Sequence, residues 1–351
     1  MSSPPAHYLM ISGIRGWRQA PHQNKSHHNK SLDRAAFKNT TGSIKLQATL
    51  RTTISFNGTG LHSGRPVRMS VHPAAAHHGI WFRRIDLTEA PAMIPARFDA
   101  VPPSQLCTRL QNEAGVEVST VEHVMAALAG CGIHNALIDV DGPEVPIMDG
   151  SAAPFVRAIL AAGLQRQDVP IHALEVLKTV TVTVDGATAT LSPDTGLHMD
   201  FSIDFADAAI GRQRRVANLA NGRFVRELCD SRTFCRQADV DRMQRDGMAL
   251  GGTYDNAVVV DGDAVLSPGG FRHADEAVRH KMLDALGDLA LAGAPILGRY
   301  TGVRAGHMLT NQLLRKLFAT PGAVRLVVCS ADQAASLPGV GVKVADLADV
   351  A

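Results

Sequence analysis

Two short segments each place a histidine close to a carboxylate. The first runs from Ser119 to His123 with the sequence STVEH, and the second runs from His280 to Asp284 with the sequence HKMLD. Together they offer three ligands for a metal ion and one further carboxylate. A hydrolytic zinc site needs this set, because zinc takes three protein ligands, keeps a position for water, and relies on a separate carboxylate to move the proton. The pattern therefore indicates metal-assisted hydrolysis.

The second segment continues with a helical spacing. His280, Asp284 and Asp288 follow the pattern i, i+4, i+8. Residues four apart on a helix have Cβ atoms roughly 5–6 Å apart, so His280 and Asp284 are able to bind one ion. Asp288 lies a turn further on and is better placed to orient another side chain. The alternative is a solvated acidic stripe on an amphipathic helix.

The first segment allows two interpretations. Glu122 precedes His123, and adjacent helical side chains point about 100° apart, which suits a base that reaches the metal's water. In the alternative, Ser119 and Glu122 form a capping box and His123 is an ordinary surface or core residue. The lack of a histidine three residues after His123 excludes the H-E-x-x-H pattern of zinc peptidases. His307 lies in a glycine-flanked segment and fits either an acid or an exposed side chain.

Composition predicts a globular protein without a nucleic-acid binding face. The 351 residues are 45% hydrophobic, which is enough for real cores and favours about two domains. The formal net charge is +2, but six basic residues and one acidic residue lie in the first 43 positions, which leaves 29 basic and 32 acidic residues in the body. A body charge of about −3 does not attract nucleic acid.

Cysteine usage and hydropathy favour a cytoplasmic protein without a transmembrane segment. The five cysteines include no C-x-x-C pair and are expected to be reduced thiols. The longest apolar stretch, 289–297, is interrupted by Gly293 and Pro295, and no segment approaches the roughly 20 apolar residues that span a bilayer. The N-terminus lacks the apolar core of a signal peptide.

The chain between its ends follows one plan twice, with strand-like runs followed by a helix that carries a motif. The runs lie at 67–71 and 80–85 before the first helix, and at 176–184 and 198–205 before the second. A site shared by two such halves is expected to lie between them. The predicted divisions are a disordered basic extension (1–43), domain I (44–168), domain II (169–330) and a poorly packed C-terminal tail (331–351).

Six separated motifs carry a resemblance to a known family over about residues 45–326. They are Gly60–Gly64 (GLHSG), Ser119–Leu128 (STVEHVMAAL), Pro146–Pro154 (PIMDGSAAP), Arg232–Phe234 (RTF), His280–Asp284 (HKMLD) and Gly306–His307 (GH). The chain resembles the UDP-3-O-acyl-N-acetylglucosamine deacetylases of lipid A biosynthesis. The resemblance implies an α+β fold of two similar domains. Each has a sheet packed with a helix pair and a small insert, and together they form a β-α-α-β sandwich around the metal.

The resemblance also implies roles for individual residues. The zinc ligands would be His123, His280 and Asp284, and the general base would be Glu122. His307 would be the cationic partner of the oxyanion, held by Asp288, and Thr233 would donate a hydrogen bond to the same oxyanion. Substrate contacts would come from His62, from Phe205 near the nucleotide, from Phe234 against the sugar, from Lys281, and from Arg304 as a candidate for the diphosphate.

The function implied is hydrolysis of the acetamide of UDP-3-O-(3-hydroxyacyl)-N-acetylglucosamine, the committed step of lipid A biosynthesis in Gram-negative bacteria. It would use one Zn²⁺ ion, or Fe²⁺ as the alternative, in a cytoplasmic monomer. An insert at about 233–260 would form the acyl-chain passage. There the sequence departs from the family, with Cys235-Arg236 in place of Gly-Phe, and it lacks a His-Pro pair after Phe205. Rival functions are a zinc amidohydrolase acting on another acylated amino sugar and a metal-stabilised binding protein without catalysis.

Overall fold

The computed structural model describes residues 45–88, 91–103 and 106–349, so the predicted N-terminal extension lies outside the described residues. The first half of the described chain holds two helices, α1 (Glu122–Gly130) and α2 (Ala153–Ala162), and a 3₁₀ turn at Phe98–Ala100. Its strands are β1 (Leu46–Leu50), β2 (Ile54–Thr59), β3 (Pro66–Pro73), β4 (Ile80–Arg84), β5 (Met93–Pro95), β6 (Leu110–Gln111), β7 (Glu117–Val118), β8 (Ala136–Val140) and β9 (Leu164–Pro170).

The second half holds the helices α3 (Arg223–Glu227), α4 (Gln237–Arg245), α5 (Glu276–Ala290), α6 (His307–Ala319) and α7 (Ala331–Ala335), with a 3₁₀ turn at Val344–Asp349. Its strands are β10 (His172–Val176), β11 (Val180–Val184), β12 (Ala187–Ser192), β13 (Leu197–Asp204), β14 (Arg212–Asn218), β15 (Phe234–Arg236), β16 (Val258–Asp261), β17 (Ala264–Val265), β18 (Ile296–Val303) and β19 (Val324–Val328).

Each half builds one large mixed sheet. The first has the strand order β2-β3-β8-β4-β5, and the second has the order β11-β12-β18-β10-β19, with β13 joining β18 to β14. Alternate residues of β3 (Val67, Met69 and Val71) are buried, as expected for a strand with one face on a core. Helix α2 packs on β2, α6 on β11 and β12, and α5 on β13 and β14.

The two halves meet through their helices, because α1 packs extensively against α5. A single hydrophobic core contains residues from both sheets and from both of these helices. This arrangement confirms the predicted α+β class. The division into domains at 168 and 169 falls inside β9, which pairs with β1, and it remains a proposal.

Three of the four predicted strands are confirmed, as β3, β4 and β13. The prediction of one continuous strand over residues 176–184 is wrong. β10 ends at Val176, and the backbone N–H groups of Leu177 and Lys178 both donate to the carbonyl oxygen of Ala323. Lys178 also donates its ammonium to the carbonyl of Pro321. The chain therefore turns around the 320–323 loop before β11 begins, which local alternation does not reveal.

The expectation of a poorly packed C-terminal tail is also wrong for residues 331–340. Ser330 caps α7 in a complete capping box with Gln333. Ala334 and Leu337 are buried in a small second core against Ile171. The segment is ordered because it covers apolar side chains that β10 and its neighbours leave outside the main core.

The cysteines and the apolarity of the helices agree with the sequence-based expectations for the described residues. The described cysteines, which include all five of the sequence, form no disulfide. No helix in the described part is long and apolar enough to cross a membrane.

Candidate metal centre and substrate cavity

The candidate ligand and catalytic side chains lie where α1 crosses α5. Glu122 and His123 occupy the first two positions of α1, while His280, Asp284 and Asp288 follow one stripe of α5. All five side chains are buried, so the solvated acidic stripe considered for α5 is wrong. Gly287 permits the close approach of the two helices, because a Cβ atom there would lie 2.1 Å from the carbonyl oxygen of Glu122.

His123, His280 and Asp284 form a group that fits a metal ion. The Nε2 atoms of His123 and His280 lie 3.6 and 3.3 Å from Oδ1 of Asp284, and one ligand atom from each residue lies within 4.8 Å of the others. Asp284 Oδ1 is buried and accepts no hydrogen bond. Leaving a buried carboxylate oxygen unpaired is costly, so this atom favours a cation between the two rings. Two imidazoles and one carboxylate are a donor set typical of catalytic zinc.

The protonation of His280 suits a metal ligand. Its Nδ1 lies 3.0 Å from the carbonyl oxygen of Ser231, which can only accept, so Nδ1 carries the hydrogen and Nε2 keeps a lone pair. Burial lowers the pKa of His280 to about 4, although the charge of Asp284 opposes that shift. The ring is therefore neutral near pH 7.

Asp284 is ionised in this cluster. Burial works against its charge, but the electrostatic attraction of His280, Lys281 and His307 holds the pKa of its carboxyl well below the usual range. Near neutral pH the positive charge comes from Lys281 and His307, because His280 is neutral there. Lys281 donates a hydrogen bond of 2.8 Å to Oδ2, the oxygen that faces away from the two histidines. Asp284 thus keeps Oδ1 for a metal while Oδ2 is satisfied by the protein.

Glu122 lies buried beside His307 and does not cap a helix. Its Oε2 accepts a hydrogen bond of 3.0 Å from the backbone N–H of Thr108, and its Oε1 lies 3.8 Å from His307 Nε2. Burial raises the pKa of Glu122, against the attraction of the nearby histidines. Ser119 instead donates its hydroxyl to the carbonyl of Pro143, and α1 has no side-chain cap, so the capping-box alternative is wrong.

His307 begins α6 and is bound on one side by Asp288. Its Nδ1 lies 2.9 Å from Asp288 Oδ2, and the other oxygen of Asp288 accepts a hydrogen bond of 2.5 Å from the hydroxyl of Thr108. Burial alone would lower the pKa of His307, but the charges of Asp288, Glu122 and Asp284 outweigh it and raise the pKa to about 9. His307 therefore carries a positive charge near neutral pH, with Nε2 directed toward Glu122 and Asp284.

A cavity of about 590 Å³ opens over this cluster. Its lining contains most of the site residues predicted from the sequence: His62, Glu122, His123, Phe205, Thr233, Phe234, His280, Lys281, Asp284 and His307. Asp288 is not part of this lining and lies behind His307, to which it is hydrogen-bonded. Arg304 is not part of this lining; it is exposed and donates to the carbonyl oxygen of Gly186 at 2.8 Å. Its suggested contact with a diphosphate remains a prediction.

The predicted insert forms one wall of the cavity. Strands β15, β16 and β17 make a three-stranded sheet, and α4 follows β15. The rings of Phe205 and Phe234 lie 5.3 Å apart in an edge-on contact. Arg236, which departs from the family pattern, has its Nε 2.5 Å from Oδ2 of Asp207. Asp207 also accepts a hydrogen bond from the backbone N–H of Gly262. Asp207 lies in the segment after Phe205 that lacks the His-Pro pair, so the two places where the sequence departs from the family are joined by one ion pair.

Several residues of the site were not predicted. Thr108 bonds Glu122 through its backbone and Asp288 through its hydroxyl, and Ser231 orients His280 through a carbonyl. Because such contacts use the backbone or join distant segments, no local pattern signals them. Cys107 also lines the cavity, and burial raises the pKa of its thiol to about 12, which makes the thiolate inaccessible near neutral pH.

Sequence comparisons agree with this geometry. Residues 47–319 match the family model LpxC, UDP-3-O-acyl N-acetylglycosamine deacetylase. The chain is 43% identical over 294 residues to the UDP-3-O-acyl-N-acetylglucosamine deacetylase of Shewanella frigidimarina, covering 83% of this chain and 95% of that protein. It is 43% identical over 290 residues to the protein of the same name from Pasteurella multocida, covering 82% and 95%. All the residues of the metal cluster and its surroundings lie inside the matched region.

Proposed function

The chain belongs to the LpxC family of UDP-3-O-acyl N-acetylglycosamine deacetylases, and we propose that it performs this deacetylation with one metal ion bound by His123, His280 and Asp284. It is a hydrolase of lipid A biosynthesis that removes the acetyl group of UDP-3-O-acyl-N-acetylglucosamine. The proposed ion is Zn²⁺, with Fe²⁺ as the alternative. The proposed products are acetate and the free amine of the UDP-3-O-acyl-glucosamine.

The observation that carries the proposal is the position of two further ionisable groups beside the ligand cluster. Glu122 Oε1 lies 3.8 Å from His307 Nε2, and the same nitrogen lies 3.8 Å from Asp284 Oδ2. A base and a cationic acid therefore face one point next to the metal ligands. Hydrolysis of an amide needs both, since the base takes a proton from water and the acid donates a proton to the leaving nitrogen.

His123, His280 and Asp284 would hold a metal ion that, when bound, would supply polarisation of the acetamide carbonyl and a more acidic attacking water. Glu122 takes the proton from this water as the new carbon–oxygen bond forms. Its location fits the task, because Thr108 fixes one carboxylate oxygen and leaves the other toward the cavity. The raised pKa of the buried carboxyl strengthens it as a base.

His307 and Thr233 serve the later steps. The carbonyl oxygen gains negative charge as water adds, and the imidazolium of His307, oriented by Asp288, stabilises that charge. Thr233 lines the same cavity, and its backbone is fixed by hydrogen bonds with Gly150 and Val258. We assign its hydroxyl as a second donor to the oxyanion. The carbon–nitrogen bond then breaks. We assign to His307 the proton that the leaving amine takes up.

The remaining lining fits an acylated sugar nucleotide. Phe234 offers a face for the sugar, Phe205 lies beside it, and Lys281 and His62 supply polar contacts. The insert contributes apolar side chains, Val240, Met243 and Val259 among them, to the wall that we assign to the acyl chain. The cavity volume of about 590 Å³ lies within the usual range of roughly 300–1,000 Å³ for small-molecule sites.

We place the reaction in the cytoplasm, because five cysteines without a disulfide support a reducing compartment. We also propose a monomer, which light scattering of the purified protein tests. The rival substrate, another acylated amino sugar, depends on the charge of Arg236. The ion pair with Asp207 now accounts for that charge, so this alternative gains no support.

The test combines metal analysis with acetate release. Purified protein should contain about one metal ion per chain and release acetate from UDP-3-O-acyl-N-acetylglucosamine. The same sugar nucleotide without its acyl chain should react far more slowly, and an acylated N-acetylglucosamine without UDP should do likewise. Equal rates on all three would contradict the substrate assignment. Chelated protein reloaded with Zn²⁺ or Fe²⁺ under anaerobic conditions then identifies the more active ion.

A further inference from the structure

Glu144 is a buried carboxylate for which the chemistry described above has no role. It is 2% exposed and lies in the short segment between Pro143 and Pro146. Its Oε1 accepts hydrogen bonds from the backbone N–H of His62 at 2.9 Å and from the hydroxyl of Thr120 at 2.8 Å. Its Oε2 accepts from the backbone N–H of Ser63 at 2.9 Å. One carboxylate thus joins two segments, and both of them line the cavity.

Thr120 has an uncommon backbone conformation. Its φ is +59°, in the left-handed region, where a β-branched residue is an outlier that the surrounding structure must hold in place. Thr120 is 3% exposed, and the backbone on either side is fixed as well. Ser119 donates to the carbonyl of Pro143 and accepts from the N–H of Val145. The hydroxyl bond to Glu144 is the side-chain contribution to this turn.

The turn at Thr120 determines where the catalytic helix begins. α1 starts two residues later at Glu122, directly followed by the ligand His123. Relaxation of Thr120 to an ordinary negative φ would redirect the first turn of α1 and move both side chains. On its other side the first turn of α1 lies against α5. Gly287 allows this close approach, because a Cβ atom there would lie 2.1 Å from the carbonyl oxygen of Glu122.

We propose that Glu144 is a positioning residue for the deacetylation. Its carboxylate holds Thr120 in the left-handed turn that sets Glu122 and His123, and it fixes the backbone of His62 on the adjacent wall. The inference rests on the proposed function for its effect on turnover. Its effect on metal binding depends only on the ligand cluster, so metal affinity is the measurement that separates the two.

Two substitutions of Thr120 test the turn directly. Thr120→Val keeps the branched shape and loses the hydroxyl, so the left-handed conformation has no side-chain support. We expect the metal affinity and kcat to fall by roughly 10- to 100-fold, the usual effect of removing a group that orients a metal ligand. Thr120→Gly loses the same hydroxyl, but glycine adopts this φ without a steric cost. It should therefore bind metal several-fold more tightly than Thr120→Val, and it should turn over faster.

Glu144→Gln tests the carboxylate. An amide NH₂ in place of one oxygen faces a donor, so at least one of the three hydrogen bonds is lost. We expect weaker metal binding and lower kcat, as for Thr120→Val, together with a raised KM, because the backbone N–H of His62 or of Ser63 loses its acceptor. Glu113→Gln is the matched control, since Glu113 is an exposed carboxylate in a surface turn and should leave all three quantities unchanged.

The measurements are competition with a fluorescent zinc chelator, steady-state kinetics of acetate release, and urea unfolding. Equal losses of metal affinity in Thr120→Gly and Thr120→Val would overturn the proposal, because the hydroxyl and not the turn would then matter. Normal metal affinity and kcat in Glu144→Gln with lowered unfolding stability would also overturn it, since Glu144 would then serve the fold alone. If the wild-type protein releases no acetate, the proposed function fails while the metal competition still decides the role of Glu144.

Discussion

Replacing Asp288 by asparagine should shift the ionisation of His307. Asp288 Oδ2 lies 2.9 Å from His307 Nδ1, and the pKa of His307 is raised to about 9 because Asp288, Glu122 and Asp284 together outweigh burial. Asparagine keeps the size and one acceptor oxygen but removes the charge nearest to the ring. The pKa should therefore fall toward the ordinary value of about 6.5. A fall of about two units reduces the protonated fraction at pH 8 from about nine tenths to about one tenth.

The shift is measured first in the metal-free protein, by NMR titration of isotope-labelled histidine with His307→Ala for assignment. It is measured again in the metal-loaded enzyme, from the alkaline limb of kcat/KM against pH. A bound dication repels the imidazolium, so this limb lies below pH 9 in the wild type, and Asp288→Asn should move it lower still. The rate at pH 8 should fall on the order of tenfold, while the rate at pH 6 changes much less.

Thr108→Val is the matched control, because it removes a neutral hydrogen bond to Asp288 and leaves the carboxylate charged. Its alkaline limb should move less than that of Asp288→Asn. An alkaline limb that stays in place in both Asp288→Asn and His307→Ala would refute the reasoning. The limb would then belong to ionisation of a metal-bound water, and His307 would lose its assigned role. The acid limb, which we assign to Glu122 or a ligand, should persist in every variant.

Three further predictions concern the metal, the base and the insert. His280→Ala or Asp284→Ala removes one of three protein ligands, so metal content by plasma emission and acetate release should fall together; full occupancy in both variants would disprove the ligand assignment. Glu122→Gln should keep its metal and lose roughly 10²- to 10⁴-fold in kcat; normal turnover would exclude Glu122 as the base. Arg236→Ala should leave a buried, uncompensated Asp207 carboxylate at the cavity wall, raising KM for long-chain substrates and lowering the thermal midpoint, while kcat stays within about threefold. An unchanged KM across acyl lengths would show that the ion pair does not shape the passage.

The sequence was sufficient to predict the parts of the site that follow from local spacing. His280 and Asp284 are one helical turn apart, so any helix brings them together, and Glu122 is adjacent to His123 for the same reason. The partnership of the two segments was indicated by their chemistry and by the family resemblance. Their actual contact depends on the packing of α1 on α5, which no spacing within either segment determines.

The contacts that position these side chains could not be predicted because they join distant segments. Thr108 reaches Asp288 across 180 residues, and Glu144 reaches His62 across 82. Ser231 acts through its carbonyl, which every residue possesses. The capping-box alternative failed for a similar reason, since Pro143 took the Ser119 hydroxyl that a cap would have used. The break at 177–179 and the packed residues 331–340 likewise depend on neighbours that are remote in the chain.

The backbone contact at Gly287 limits how this enzyme can move. Hinge bending that separated α1 from α5 would pull His123 away from His280 and dismantle the metal cluster, which both helices share. Opening and closing between the two sheets is therefore a poor route for substrate entry or product release. Substrate entry and product release are therefore expected to use movement at the rim of the cavity, where no residue of α4 is buried. The ligand cluster is preorganised, and we expect adaptation to different acyl chains to take place in the insert.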